Sequence, residues 1–361
     1  EWLDDYALYM AVKGKYEGKG WMDWDKDIRF RRPEALSACR EELAEEINYW
    51  KFLQFKFFEQ WKKLKQYAKE KELQIVGDIP IYVALDSADV WSHPELFQLD
   101  EENLTPLKVS GVPPDAFSED GQLWGNPLYD WEKMEQTDFA WWRSRMKASA
   151  KLYDAVRIDH FIGVVQYYAI PYGAVTAKDG EWEKGPGKKL TDALDEAAGE
   201  TKIIAEDLGI FVPEVKELLE ETGYPGMKII EFAFSGDRFN EHLPHMYSPN
   251  SVVYGGTHDN ETLVGYFKPE ARQWWELQYI ADYMGVSHQH EVVDKVLKTA
   301  YASVASVVIF QAQDILKLDS WARMNTPGTV GNNWRWRMKP GELTQDHINH
   351  LSLLVDTFGR F

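Results

Sequence analysis

Apolar residues recur three or four positions apart between 33 and 73, at Leu43, Ile47, Trp50, Leu53, Phe57, Trp61, Leu64 and Ala68. That spacing predicts one long amphipathic helix or two stacked ones, with a stripe that must bury against something. Residues 1–36 mix short aromatic segments with glycine and charge, which predicts small helices and loops. Past residue 73 the period changes. Short apolar runs at 75–77, 155–158, 203–205, 227–232, 252–256 and 307–311 predict strands. Helical stretches fall between them. One covers 132–151. Another starts near Pro213, which suits a first helical turn, and stops at Gly223, which suits a C-terminal cap. Residues 86–135 are rich in Pro, Gly, Asp and Trp and show little regular period. A stretch of that kind inside a domain reads as a lid or binding loop, or as a mobile surface insertion.

Strand and helix in alternation predict an α/β fold with a parallel sheet and helices outside it. The specific expectation is a (β/α)8 TIM-type barrel with helical insertions. Three of the strands close on acidic motifs: Val156-Arg157-Ile158-Asp159-His160, Ile203-Ile204-Ala205-Glu206-Asp207-Leu208 and Gly255-Gly256-Thr257-His258-Asp259-Asn260. The strands leading to Asp78, Asp159, Glu206 and Asp259 read as members three, four, five and seven. The first two strands are then expected to be absent from this chain, which reads as a piece of a longer product. The expected division is a helical insertion subdomain with the long helix at 1–72, and the barrel at 73–361 with a lid insertion at 86–151.

Carboxylates at the C-terminal ends of parallel barrel strands converge on one face. Arg157 and Asp159 are two apart on a strand, so they share a face. A guanidinium beside a carboxylate favours its charged form, which suits a nucleophile. Glu206 follows a buried-looking run near another acid, which favours the protonated form of a general acid. Asp207 competes with it, but adjacent strand residues face opposite ways. Asp259 could bind two hydroxyls of a distorted sugar and favour a positive transition state. His258 could donate to a sugar hydroxyl. Each motif also has a purely structural reading: an Arg–Asp pair at a strand end, a helix N-cap, a structural histidine.

The charge excludes some partners. The chain has 361 residues, a net charge of −19 and a pI near 4.9. So acidic a surface repels phosphate backbones and anionic membranes, and is indifferent to a neutral substrate. Sixteen Trp and eighteen Tyr are available for stacking on sugar rings, although most such rings serve packing. Cys39 is the sole cysteine, which precludes an intrachain disulfide and fits a reducing, cytoplasmic setting. His93, His160, His242, His245 and His258 lack metal-ligand spacing, and no phosphate-cradling glycine loop occurs. Neither metal nor cofactor is expected.

Taken together the motifs resemble the 4-α-glucanotransferases called amylomaltases or disproportionating enzymes, glycoside hydrolase family 77 of the α-amylase clan. The resemblance runs from Trp2 to the end. It includes Gly77-Asp78-Ile79-Pro80-Ile81-Tyr82-Val83, Asp89-Val90-Trp91, His93-Pro94-Glu95-Leu96-Phe97, the run 113–127, Asn325-Thr326-Pro327-Gly328-Thr329 and Asn333-Trp334-Arg335-Trp336-Arg337. It implies Asp159 as nucleophile, Glu206 as acid/base and Asp259 as transition-state stabiliser, supported by Arg157 and His258. Asp78 and Tyr82 would lie near a sugar subsite, with Trp124 and Asn126 on the loop over the glucan. The implied partners are maltooligosaccharides and other α-1,4-glucans. Ile162 is a departure, since many relatives carry Arg there. A retaining double displacement requires carboxyl groups about 5–5.5 Å apart. The rivals are a hydrolase of the same clan and a non-catalytic glucan-binding fragment.

Overall fold

Of the two readings of 33–73, one long helix or two, the chain takes the second. In the computed structural model, which describes residues 2–114, 118–210 and 212–360, Pro33–Glu42 and Ala44–Glu70 are separate helices. Leu43 breaks them with φ −105° and ψ 25°. The stripe is only partly covered. Ile47 and Ala68 are buried, Trp50 packs edge-on to Tyr6, and the Trp61 indole donates to Leu152 O at 2.9 Å. Phe57 and Leu64 of the stripe stay exposed at 45 % and 51 %. The helix Trp2–Lys15 runs along part of its length, and its partners leave the rest of that face open.

The chain forms two compact units, Glu1–Thr222 and Gly223–Phe361. The first holds the helices just described, further ones after them, and two sheets. Its parallel sheet has the order β1 (Val76–Pro80), β4 (Ala155–Asp159), β7 (Lys202–Ala205). Gly77 in β1 packs so closely on the Tyr153 ring that a Cβ there would sit 2.1 Å from a ring carbon. The second sheet is antiparallel, in the order β3 (Gln122–Pro127), β2 (Lys108–Val112), β5 (Gln166–Pro171), β6 (Glu181–Lys184).

That second sheet is absent from the sequence-based expectation. Within 86–135, Lys108–Val112 pairs with Gln166–Pro171 on one side and Gln122–Pro127 on the other, and long-range partners leave no local period to read. The stretch expected to be a lid thus contains a strand pair, Lys108–Val112 with Gln122–Pro127. Gly111 lies opposite Leu123, and Val112 opposite Gln122. The middle of the 113–127 run, 115–117, lies outside the described residues.

The second unit carries a parallel sheet in the order β10 (Val307–Ile309), β9 (Ser251–Tyr254), β8 (Gly226–Ile229). The helices Val292–Ala302 and Trp274–Met284 cover it, with Val253, Ile230, Phe234, Val296 and Leu297 in the core. The predicted strand at 227–232 ends early, because Ile230–Phe232 turns into a 3-10 helix. All six predicted strands exist, each within a few residues of its expected bounds. The class is α/β. Among the described residues no helix is long and apolar enough to cross a membrane.

Candidate active site

Register sets the first group of side chains. Asp78 lies opposite Arg157, and Ile158 opposite Ala205. One residue further along the same parallel ladder, Asp159 stands beside Glu206 at the C-terminal strand ends. Neighbouring strands are about 4.8 Å apart, so register partners on one face are neighbours. The ladder does continue: Glu206 N donates to Ile158 O at 3.0 Å, and Phe161 N to Glu206 O at 2.9 Å.

Arg157 ties the group together. Its Nη2 lies 2.7 Å from Asp159 Oδ1, while its Nη1 donates to Asp78 Oδ1 at 2.9 Å and to Asp78 Oδ2 at 2.8 Å. The guanidinium side chain is 11 % exposed. Burial opposes its charge, but Asp78, Asp159 and Glu206 together outweigh burial and hold the cation.

Glu206 is set apart from Asp159 by its surroundings. It is 8 % exposed, against 41 % for the Asp159 side chain. Burial pushes its carboxyl up to about 8; Arg157 opposes this and the negative charge of Asp159 adds to it. The backbone N–H of His160 donates to Glu206 Oε2 at 2.6 Å. His160 reaches that position with φ +52°, a left-handed conformation costing about 1 kcal/mol for a residue with a Cβ. Burial pushes its imidazole down to about 4, so the ring is neutral near pH 7.

Trp124 meets His160 edge-on, with ring centroids 4.8 Å apart, and lies 6.3 Å from Tyr82. Tyr82 is buried and stacks on Tyr129. Asn126 donates to Val83 O at 3.1 Å, which pins β3 to the segment after β1. Asp78, Tyr82, Trp124, Asn126, Arg157, Asp159 and Glu206 thus all belong to the first unit.

His258 and Asp259 belong to the second, on the turn after β9. Asn325 Nδ2 donates to Asp259 Oδ1 at 2.6 Å, and Arg323 Nη2 to Asp259 O at 2.7 Å. Asn325 N also donates to His258 O at 3.1 Å. His258 Nε2 lies 3.4 Å from Asp259 Oδ2, and its ring packs against Trp334. Among the described residues no three His, Cys, Asp or Glu side chains are grouped as a metal site needs.

Sequence reasoning missed His160, Arg323 and Asn325 as contributors. Asn325 lies in a motif quoted for the resemblance, and that was the available signal. A backbone donor such as His160 N–H leaves no mark on residue type.

The sequence model of glycoside hydrolase family 77, described as 4-α-glucanotransferase, matches residues 1–344. The 4-α-glucanotransferase of Clostridium butyricum is 49 % identical over 360 residues, spanning 100 % of this chain and 74 % of that protein. That of Thermus thermophilus is 44 % identical over 365 residues, spanning 99 % of this chain and 73 % of its own. Among solved structures, an amylomaltase from Streptococcus agalactiae in complex with acarbose superposes with a TM-score of 0.95 at 42 % identity, covering 99 % of this chain and 72 % of that one. With the family match spanning nearly its whole length, and relatives this similar along all of it, the chain belongs to the 4-α-glucanotransferase family, glycoside hydrolase family 77.

Proposed function

We propose that this protein moves α-1,4-glucan segments between maltooligosaccharides by a retaining double displacement, with Asp159 as nucleophile and Glu206 as acid/base. The observation that carries this reading is the environment of the pair. Two carboxyls adjoin at the ends of neighbouring strands. One is exposed and held by Arg157, and the other is buried and favours its proton.

The chemistry follows. Oδ1 of Asp159 is engaged by Arg157, so Oδ2 attacks the anomeric carbon. Glu206 Oε2 accepts the His160 N–H, so Oε1 carries the proton that passes to the departing glycosidic oxygen. The glycosyl ester neutralises Asp159. That removes one of the charges raising Glu206, and the carboxylate left after proton transfer becomes the base for an incoming 4-hydroxyl. Asp259 stabilises the positive transition state, and His258 donates to a sugar hydroxyl. Asp78 and Tyr82 border the subsite. Trp124 and Asn126 lie over the glucan and help keep water from the ester.

The same reading takes the parallel strands as members of a (β/α)8 barrel of the TIM type whose first two strands this sequence does not contain. It takes 1–72 as a helical insertion subdomain, 73–361 as the barrel and 86–151 as its inserted cover. Cytoplasmic residence is proposed from the sole, buried Cys39.

Product analysis with maltotriose tests the reaction. A ladder of shorter and longer glucans is expected. Shortening alone would make the protein a hydrolase, and binding without turnover would make it a glucan-binding fragment.

A further inference from the structure

We propose that Glu231 is a positioning residue for Asp259: its carboxyl forms the floor beneath the turn that presents Asp259. The inference rests on the role given to Asp259 above. Glu231 sits in the 3-10 turn after β8 and is 3 % exposed. Its backbone is held on both sides of the Cα: its N–H donates to Gly255 O at 3.1 Å, and its C=O accepts the Tyr266 hydroxyl.

The side chain lies against Gly256. A Cβ on Gly256 would come within 2.7 Å of Glu231 Oε1 and 2.9 Å of Asn260 Cβ. A side chain at Gly256 would therefore have to displace the Glu231 carboxyl and Asn260. On its other side the turn closes on itself. Asn260 Oδ1 accepts from Thr257 N and Thr257 Oγ1, both at 2.9 Å, and Asp259 N donates to Thr257 Oγ1 at 3.3 Å. Asp259 stands on this turn, three residues past Gly256, which Glu231 supports.

Among the described residues Glu231 Oε1 has no hydrogen-bond partner. Burial raises its carboxyl well above the usual range, and Asp314 and Glu261 raise it further against Arg272 and Arg323, so the neutral form is favoured. Neutrality matters to the turn. Arg323 is the cation that donates to Asp259 O, and it also lies 3.8 Å from Glu261. An ionised Glu231 would compete for that guanidinium, whereas a neutral one leaves it to the turn.

A double-mutant cycle in the full chain tests this, with initial rates read on α-maltotriosyl fluoride, a donor whose leaving group keeps weak variants measurable. Glu231→Ala is expected to lower kcat about tenfold with KM little changed. In the Asp259→Asn background the same change is expected to alter kcat by less than about twofold, because residues acting through one another are not additive. Glu231→Gln, neutral and of the same shape, is expected to restore kcat. An equal loss from Glu231→Ala in both backgrounds, or no loss in either, overturns the inference. If Glu231→Ala fails to fold, Glu231→Asp, which withdraws the carboxyl from Gly256, is read in the same cycle under the same criteria. Wild-type rates for Asp259→Asn alone would overturn the Asp259 role and this inference with it. Additivity over a crippled Asp259→Asn overturns this inference only.

Discussion

Arg157 lies 2.7 Å from Asp159 while its other nitrogen spans both oxygens of Asp78. One nearly buried guanidinium therefore orients the carboxylate proposed as nucleophile and is itself oriented by the next strand. A lysine ammonium is a point charge and cannot hold both contacts in a fixed plane. Arg157→Lys should keep the fold and lower kcat on the order of 10²-fold, the scale of a misplaced reactive group. Initial-rate kinetics on maltotriose, with circular dichroism as the control, checks it.

Glu206 must carry its proton to act as the acid. Its carboxyl is raised to about 8 in the free protein. The pH profile of kcat/KM should therefore hold through neutrality and fall above about pH 8. A fall beginning near pH 6 would assign the acid to another group.

The same shift makes Glu206 a stability liability. The folded carboxyl titrates at about 8 and an ordinary one at 4.5. Between those values the folded state keeps a proton that the unfolded state has released, so stability falls as pH rises. The contribution is complete below the lower value and lost through the upper one. Glu206→Gln should match the wild type in stability near pH 4 and exceed it near pH 9 by on the order of a few kcal/mol. Denaturant titrations at both pH values measure the difference.

Asn325 donates to Asp259 Oδ1 at 2.6 Å. A hydrogen bond to a charged group contributes about 1.5–3 kcal/mol. If Asp259 acts mainly in the transition state, Asn325→Ala should lower kcat about tenfold or more and leave KM nearly unchanged. A rise in KM at constant kcat would place Asn325 in ground-state binding instead.

The strands and their acids were legible because both signals are local. An apolar run that closes on a carboxylate names the strand and the side chain at its end, and β4 and β7 deliver Asp159 and Glu206 in adjacent register. The antiparallel sheet was not legible. Its strands Lys108–Val112 and Gln166–Pro171 pair across more than fifty residues, and Gln122–Pro127 has an exposed face rich in polar and aromatic residues that reads as loop. The supports of the site were hidden for a related reason. His160 acts through its backbone, Glu231 through its packing on Gly256, and Asn325 across 66 positions. The stripe of Ala44–Glu70 was legible as a pattern but not in its outcome, since periodicity tells which face is apolar and not what covers it.

Trapping the ester tests the central claim most directly. Glu206→Gln lacks the base that frees the second half-reaction, while a glycosyl fluoride donor needs no acid in the first. Peptide mass spectrometry after mixing this variant with α-maltotriosyl fluoride should find a maltotriosyl group on the peptide that contains Asp159. An adduct on any other peptide, or turnover of the fluoride by the wild type with inverted stereochemistry, would contradict the account.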